Sequence, residues 1–215
     1  MRAVVFDMDG LIFNTEDVYT AVGTELLRRR GHTFTAELKS TIMGLRPQPT
    51  CEAMIRHCGL RDTWQQLVDE SNQLFFSLLG DSLAPMPGLL KLLDALERAK
   101  IPKAIATSSS RELVDACLKP FDMHNRFLFI LAAEDIVHGK PHPEIYLTAA
   151  LRFGMSPAEI MVLEDSQNGC VAAASAGAFT VAVPGEHSRD HDFSMASLVV
   201  DSLADPRLFQ VLGIT

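Results

Sequence analysis

Four short apolar runs are spread along this chain: Ala3-Val4-Val5-Phe6, Ala104-Ile105-Ala106, Met161-Val162-Leu163 and Thr180-Val181-Ala182-Val183. Each is too short for a helix and most are rich in β-formers, so each is predicted as a buried strand. Amphipathic helical patterns lie between them. Leu89, Leu90, Leu92, Leu93 and Leu96 mark one, and Ile145, Leu147, Ala150 and Leu151 mark another. Strands that alternate with helices bury both sheet faces as a doubly wound, Rossmann-like α/β fold with a parallel sheet. A length of 215 residues suits one such domain with a small insertion, or two small domains.

From about Thr15 to about Leu83 the alternation gives way to helical text alone. Thr15 is expected to cap a helix ending at Gly31, and Thr35 a second ending near Gly44. A third is expected from Thr50 to Cys58, stopped by Gly59. A fourth, opened by Asp62, carries Leu67, Leu74, Phe75, Leu78 and Leu79 and stops at Gly80. Ala84-Pro85-Met86-Pro87-Gly88 then reads as a loop. The expected organisation is an α/β core of residues 1–14 and 85–215, with a helical cap domain of residues 15–84 inserted after the first strand.

A net charge of −8 argues against non-specific binding to nucleic acid or to anionic membranes. The basic run Arg28-Arg29-Arg30 is read as a solvated helix end. Cys51, Cys58, Cys117 and Cys170 lack CxxC spacing, which points to a reducing compartment. With no signal-like or membrane-length apolar run, the expectation is a cytoplasmic protein, monomeric by default.

Ligands of open parallel sheets sit at the carboxyl ends of the strands. The first strand runs into Asp7-Met8-Asp9-Gly10, the next into Thr107-Ser108-Ser109-Ser110, and a later one into Glu164-Asp165-Ser166; Gly139-Lys140-Pro141 precedes that later strand. Four carboxylates, several hydroxyls and a lysine thus converge on one edge. Two unit charges about 4 Å apart repel by about 4 kcal/mol at an effective dielectric near 20. A hard divalent cation relieves this, and carboxylate oxygens are what Mg²⁺ takes. For any single acidic residue, capping a helix is an equally simple reading.

The same residues carry a resemblance. Asp7-Met8-Asp9-Gly10, Thr107-Ser108-Ser109, Gly139-Lys140-Pro141 and Glu164-Asp165-Ser166 resemble, in order, the four motifs of the haloacid dehalogenase-like (HAD) hydrolase superfamily. Phe6 to Glu16 and Leu163 to Gly169 look like its branch with a helical cap after the first strand, a branch of phosphatases and β-phosphoglucomutase-like enzymes. The likeness runs from Val4 to about Pro184. It implies Asp7 as the nucleophile that forms an aspartyl-phosphate, and Asp9 as general acid and base. It implies Thr107 and the backbone around Ser108 as phosphate binders, and Lys140 as a charge stabiliser. It implies a Mg²⁺ site of Asp7, the Asp9 carbonyl, Asp165 and Glu164, the last through water.

Within that resemblance, relatives that dehalogenate carbon or cleave phosphonates lack an acid at the position of Asp9. A leaving alkoxide needs a proton and a halide does not, so Asp9 favours a phosphatase acting on a small phosphorylated metabolite, a sugar or nucleoside-type phosphate. Two alternatives stay open: a sugar-phosphate mutase and a non-catalytic phosphometabolite-binding module. Mutases of this branch carry a histidine four residues after the threonine, where this chain has Tyr19. Asn14 replaces the usual aspartate at the entry to the cap. Arg46 is a candidate cap contact with substrate or a surface arginine, and Arg111 a phosphate aid or an exposed helix residue. His138, His142 and the His187–Asp192 cluster are read as loop residues, and Trp64, Phe75 and Phe76 as cap packing.

Overall fold

The computed structural model describes residues 1–79 and 83–214. At its centre lie β1 (Ala3–Phe6), β2 (Lys103–Ala106), β3 (Ile130–Leu131), β4 (Ile160–Glu164), β5 (Phe179–Ala182) and β6 (Leu198–Val199), in spatial order β3-β2-β1-β4-β5-β6. Every pairing is parallel. The chain winds outward from β1 through β2 to β3, then returns across β1 to β4. The winding reverses beside β1, which puts a ligand crevice at the carboxyl ends of β1 and β4. The four expected strands are present; β3 and β6, two residues each, are too short to leave a periodic signal.

Alternation along β1 divides the core. Val4 and Phe6 pack on the side of Leu89, Leu92, Leu93 and Leu96 of α5 (Leu89–Arg98), with α6 (Arg111–Leu118) and α9 (Pro206–Leu212) contributing Val114 and Leu208. Ala3 and Val5 face Ile145, Tyr146 and Ala149 of α7 (Glu144–Phe153) and Ala172 and Ala173 of α8 (Gln167–Ala176). Small alanines let α8 lie close to the sheet. A Cβ on Gly169 would collide with the Glu164 carboxylate, so only glycine lets the helix start there.

Between β1 and α5 run α1 (Thr15–Arg28), α2 (Ala36–Ile42), α3 (Pro47–Cys58) and α4 (Trp64–Leu79). α1 packs on α4, α4 on α3 and α3 on α2. Several helix ends differ from the expectation. Thr15 is the first residue of α1 rather than its cap, because its hydroxyl is taken by Asp9. The helix closes at Arg28 and the chain turns through Arg29 and Arg30 before Gly31. Thr35 caps α2 as expected, accepting from the Leu38 amide. α3 begins at Pro47, three residues early, since proline pre-sets the first helical φ. Thr63, not Asp62, caps α4: its hydroxyl accepts from the Gln66 amide, while Asp62 binds Arg30. The expected stop at Gly80 lies outside the described residues.

The arginine run is only partly a solvated end. The Arg30 side chain is 17% exposed and binds both Asp62 and Glu70, joining α1 to α4. Asn14 and Ala84 tie the two connections of the insertion: the Asn14 amide donates to the Ala84 carbonyl at 3.1 Å, and the Ala84 amide to Asn14 Oδ1 at 2.7 Å. Among the described residues no helix is long and apolar enough to cross a membrane.

On the far side of the core Glu97 accepts from Arg126 and from Lys103, which is buried. The Arg126 hydrogen bonds pull its carboxyl down from 4.5 to about 2. Its folded value is depressed, so its contribution is present above the ordinary carboxylate range and is lost as pH falls towards 2. Glu97 is 42% exposed, and solvent screening limits the contribution to about 1 kcal/mol. Glu97→Gln is therefore expected to destabilise the protein by about that amount at pH 7. Urea denaturation should show the deficit shrinking below pH 4.5; a deficit constant with pH would refute an ionic origin.

Candidate active site

Asp7 directly follows β1, and its amide donates to the Leu163 carbonyl of β4 at 3.0 Å, so the sheet ladder sets the backbone position of this carboxylate. A tight turn follows, in which the Met8 carbonyl accepts from Ile12 and Phe13. Gly10 sits at φ +71°, and a Cβ there would run into the Asp165 carboxylate. Both facts demand glycine. The turn brings Asp9 back to the same edge.

Lys140 enters from the loop before α7. Its Nζ donates to Asp7 Oδ1 at 2.5 Å, to Glu164 Oε1 at 2.5 Å and to the Ala106 carbonyl at 3.2 Å, so all three protons are placed. Burial opposes its charge, but the flanking carboxylates of Asp7 and Glu164 prevail and raise its pKa. Glu164 is saturated. Its Oε1 also accepts from the Tyr146 hydroxyl at 2.6 Å, and its Oε2 accepts from the amides of Asp165 and Ser166 and the Ser166 hydroxyl. Tyr146 carries no sequence signal for this role, since it sits within an ordinary helical pattern.

Asp9 is held by three hydroxyls. Thr15 donates to Oδ1 at 2.8 Å, while Ser109 and Thr107 donate to Oδ2 at 2.7 and 3.1 Å. Burial raises its pKa, against the pull of those hydrogen bonds. The Tyr19 hydroxyl lies 3.0 Å from Ser109 Oγ, and its ring packs against Phe75. Thr107, expected at the phosphate, thus faces Asp9. Ser108 Oγ donates to the Gly44 carbonyl at 3.0 Å, across to the helical insertion.

That contact belongs to a set that draws residues 43–46 onto the strand ends. Asn168 Nδ2 donates to the Met43 carbonyl at 2.8 Å. Arg46 donates to the carbonyls of Val137 and Ala133 at 2.7 and 2.9 Å. The Arg46 guanidinium is therefore spent on core backbone and is not among the groups lining the cavity over Asp7. Arg111 is likewise turned away, binding Asp135 and the Ile130 carbonyl. Of the two readings open for each arginine, these hydrogen bonds favour the one without substrate contact. His138 and His142 pack against each other with tilted rings outside the cavity, and His187 binds Asp17 at 2.6 Å.

Under residues 43–46 lies a cavity of about 130 Å³. Asp7, Asp9, Ser108 and Asp165 line its floor, and Glu16, Tyr19, Lys39 and Leu45 are among its walls. Asp165 is buried, and its carboxylate accepts no hydrogen bond among the described residues. Burial, then the charges of Glu16, Glu164 and Asp7, push its pKa well up. Burial likewise raises Asp7, with Glu164 and Asp9 adding to the push and Lys140 opposing it. Oxygens of Asp7, Glu164 and Asp165 lie within 4.8 Å of one another. One lysine does not balance these carboxylates. The all-oxygen donor set of Asp7, Asp165 and Glu164, with an unbonded buried carboxylate, fits Mg²⁺; the Glu164 oxygens also hold Lys140, Tyr146 and Ser166.

The sequence from residue 4 to 183 matches the family model of haloacid dehalogenase-like hydrolases. The chain belongs to that family. This hydrolase is 36% identical over 207 residues to "Probable pseudouridine-5'-phosphatase" of Drosophila melanogaster, covering 94% of the chain and 89% of the relative. It is 28% identical over 225 residues to Hexitol phosphatase B of Escherichia coli strain K12, covering 98% and 96%. The hydrolase also superposes on CbbY from Rhodobacter sphaeroides in complex with phosphate, with a TM-score of 0.83, 26% identity and coverage of 95% and 96%. With full-length phosphatases among its relatives, it is assigned to the phosphoric monoester hydrolases.

Proposed function

We propose that this hydrolase uses Mg²⁺ to cleave a small phosphorylated metabolite, a sugar or nucleoside-type phosphate, through an aspartyl-phosphate on Asp7. The observation that carries the reading is the Asp7 carboxylate. One oxygen is held by Lys140, while Asp7 itself lines a covered cavity whose floor also holds Asp9 and Asp165. An Asp7 oxygen attacks phosphorus as the ester P–O bond breaks, and Asp9 passes a proton to the departing alkoxide. Asp9 then takes a proton from the water that hydrolyses the aspartyl-phosphate. Lys140 keeps Asp7 oriented and offsets charge as the phosphoryl group arrives. Mg²⁺, when bound at Asp7 and Asp165, supplies the positive charge that phosphoryl oxygens need beside these carboxylates.

Residues 15–84 act in this reading as a cap that excludes water over the reacting group, which the hydrogen bonds from Ser108 and Asn168 to residues 43 and 44 support. Thr107 and Ser108 remain the candidate phosphate binders, the latter by its position on the cavity floor. Tyr19, tied to Ser109, occupies the place of the mutase histidine, which supports hydrolysis over phosphate return. The four free thiols accord with a reducing, cytoplasmic setting, and neither nucleic acid nor membrane has a part in this chemistry.

Inorganic phosphate release tests the reading across phenyl phosphate, ribose 5-phosphate, sorbitol 6-phosphate, pseudouridine 5′-phosphate and glucose 1-phosphate. Release from at least one ester is expected, abolished by chelator and restored by Mg²⁺. Release indifferent to chelation would overturn the metal assignment. Isomerisation of glucose 1-phosphate without release would establish a mutase, and no turnover of any ester would leave only binding.

A further inference from the structure

Lys39 of α2 has no part in the chemistry above, yet it is a half-buried cation in the wall of the cavity that holds Asp7. Its Nζ donates to Thr20 Oγ1, whose own proton goes to the Glu16 carbonyl at 2.6 Å. That hydroxyl is therefore filled. Lys39 forms no ion pair among the described residues, and an ammonium has three protons to place. Two remain for a group inside the cavity. α2 packs through the buried apolar side chains of Leu38 and Ile42 and exposes Ala36, Glu37, Ser40 and Thr41, so its packing is apolar and does not call for a lysine at this inward position.

The surroundings say what that group is. Glu16, Asp9 and Asp165 line the same cavity, and Asp17 and Glu186 also act on Lys39. Burial lowers the Lys39 pKa, and Glu16, Asp17 and Glu186 hold it back up. A second phosphate or a carboxylate on the substrate would meet one cation already balanced by several anions. A neutral hydroxyl meets no such repulsion, and it can accept from Lys39 while donating to a neighbouring carboxylate such as Glu16.

We infer that Lys39 is a specificity-determining residue that binds a hydroxyl of the non-reacting part of the substrate, so that the preferred ester is a polyol monophosphate and not a bisphosphate. This rests on the proposed phosphatase reading and names the substrate class of the same cavity.

Lys39→Met keeps the length of the side chain and removes its donors, and Lys39→Arg restores a cation. The quantity to follow is kcat/KM for ribose 5-phosphate divided by kcat/KM for phenyl phosphate, which offers no hydroxyl. Losing a charged donor to a hydroxyl is expected to lower this ratio by about 10- to 100-fold in Lys39→Met, mainly through KM. Lys39→Arg should recover part of it. An unchanged ratio, or equal losses on both esters, would overturn the assignment. So would preferential hydrolysis of fructose 1,6-bisphosphate over fructose 6-phosphate that disappears in Lys39→Met. If the wild type hydrolyses no ester, the phosphatase reading fails by itself. Calorimetric binding of ribose 5-phosphate still decides the role of Lys39: weaker binding in Lys39→Met supports it, and equal affinity overturns it.

Discussion

Asp7→Asn is expected to lower phosphate release by at least about 10⁴-fold, the scale on which loss of a covalent nucleophile acts. The amide retains the shape of the carboxylate and cannot form the acyl phosphate. The same substitution should leave the metal-free protein as stable as the wild type, or more stable. Asp7 is buried, and burial outweighs Lys140 in setting its pKa, so its ionised form costs folding energy. Lys140 keeps Glu164 at 2.5 Å after the change, so no buried cation is stranded. Single-turnover assays and thermal melts in chelator test both halves. Substantial residual turnover would remove Asp7 from its role, and a large fall in Tm would show that the carboxylate holds the fold together.

Lys140→Met is expected to fail in the opposite manner, losing stability and activity together. Its ammonium lies between two buried carboxylates and is itself only 3% exposed. Removing one partner of such a cluster strands charge and typically costs about 3–5 kcal/mol. The stranded Asp7 would take a folded pKa above its unfolded one, since burial raises it and Lys140 no longer opposes that. Such a group contributes least penalty while protonated, so the deficit should be small in acid and grow as pH rises above the ordinary carboxylate range. Urea denaturation in chelator at several pH values measures this. The double variant Lys140→Met/Glu164→Gln should recover part of the loss, because it removes one stranded charge. A deficit independent of pH would point to lost packing against Tyr146, whose ring lies 5.2 Å from Nζ, rather than to charge.

The two variants separate what a cavity of this kind does from what it costs. Asp7, Asp9, Glu16 and Asp165 line one small space, and each has a pKa raised by burial. Such a cluster is poorly suited to stability and well suited to holding a cation and an incoming phosphoryl group. The hydroxyls of Thr15, Thr107 and Ser109 partly relieve this by hydrogen-bonding Asp9. Here the structural and functional uses of a residue overlap, as with Thr15, which opens α1 and at the same time orients the expected acid.

Much of this was open to reading before any coordinates. The core strands announce themselves because a strand buried on both faces must be apolar along its length. Asp7, Asp9, Thr107, Lys140 and Asp165 could be gathered on one edge because a parallel sheet turns all its carboxyl ends the same way. The helical insertion was legible from caps and periodicity, although helix starts were misplaced where a capping side chain had a better partner outside its own helix, and where Pro47 opened α3 early. Thr15 left its cap for Asp9, and Asp62 left its cap for Arg30.

The sequence by itself determined the fold class, the strand edge that carries the candidate site and the chemical types assembled there, because these follow from local periodicity and from sheet geometry. Tertiary structure alone decided which partner each group serves. It turned Arg46 onto the carbonyls of Ala133 and Val137, joined Glu164 to Lys140 and Tyr146, and hung Tyr19 on Ser109. It also aimed Lys39 inward. The contacts of Arg46 and Tyr19 form only when the insertion packs down on the strand ends, and that of Glu164 only when α7 and the loop before it pack against β4; a side chain's direction across such an interface depends on distances that no single segment encodes.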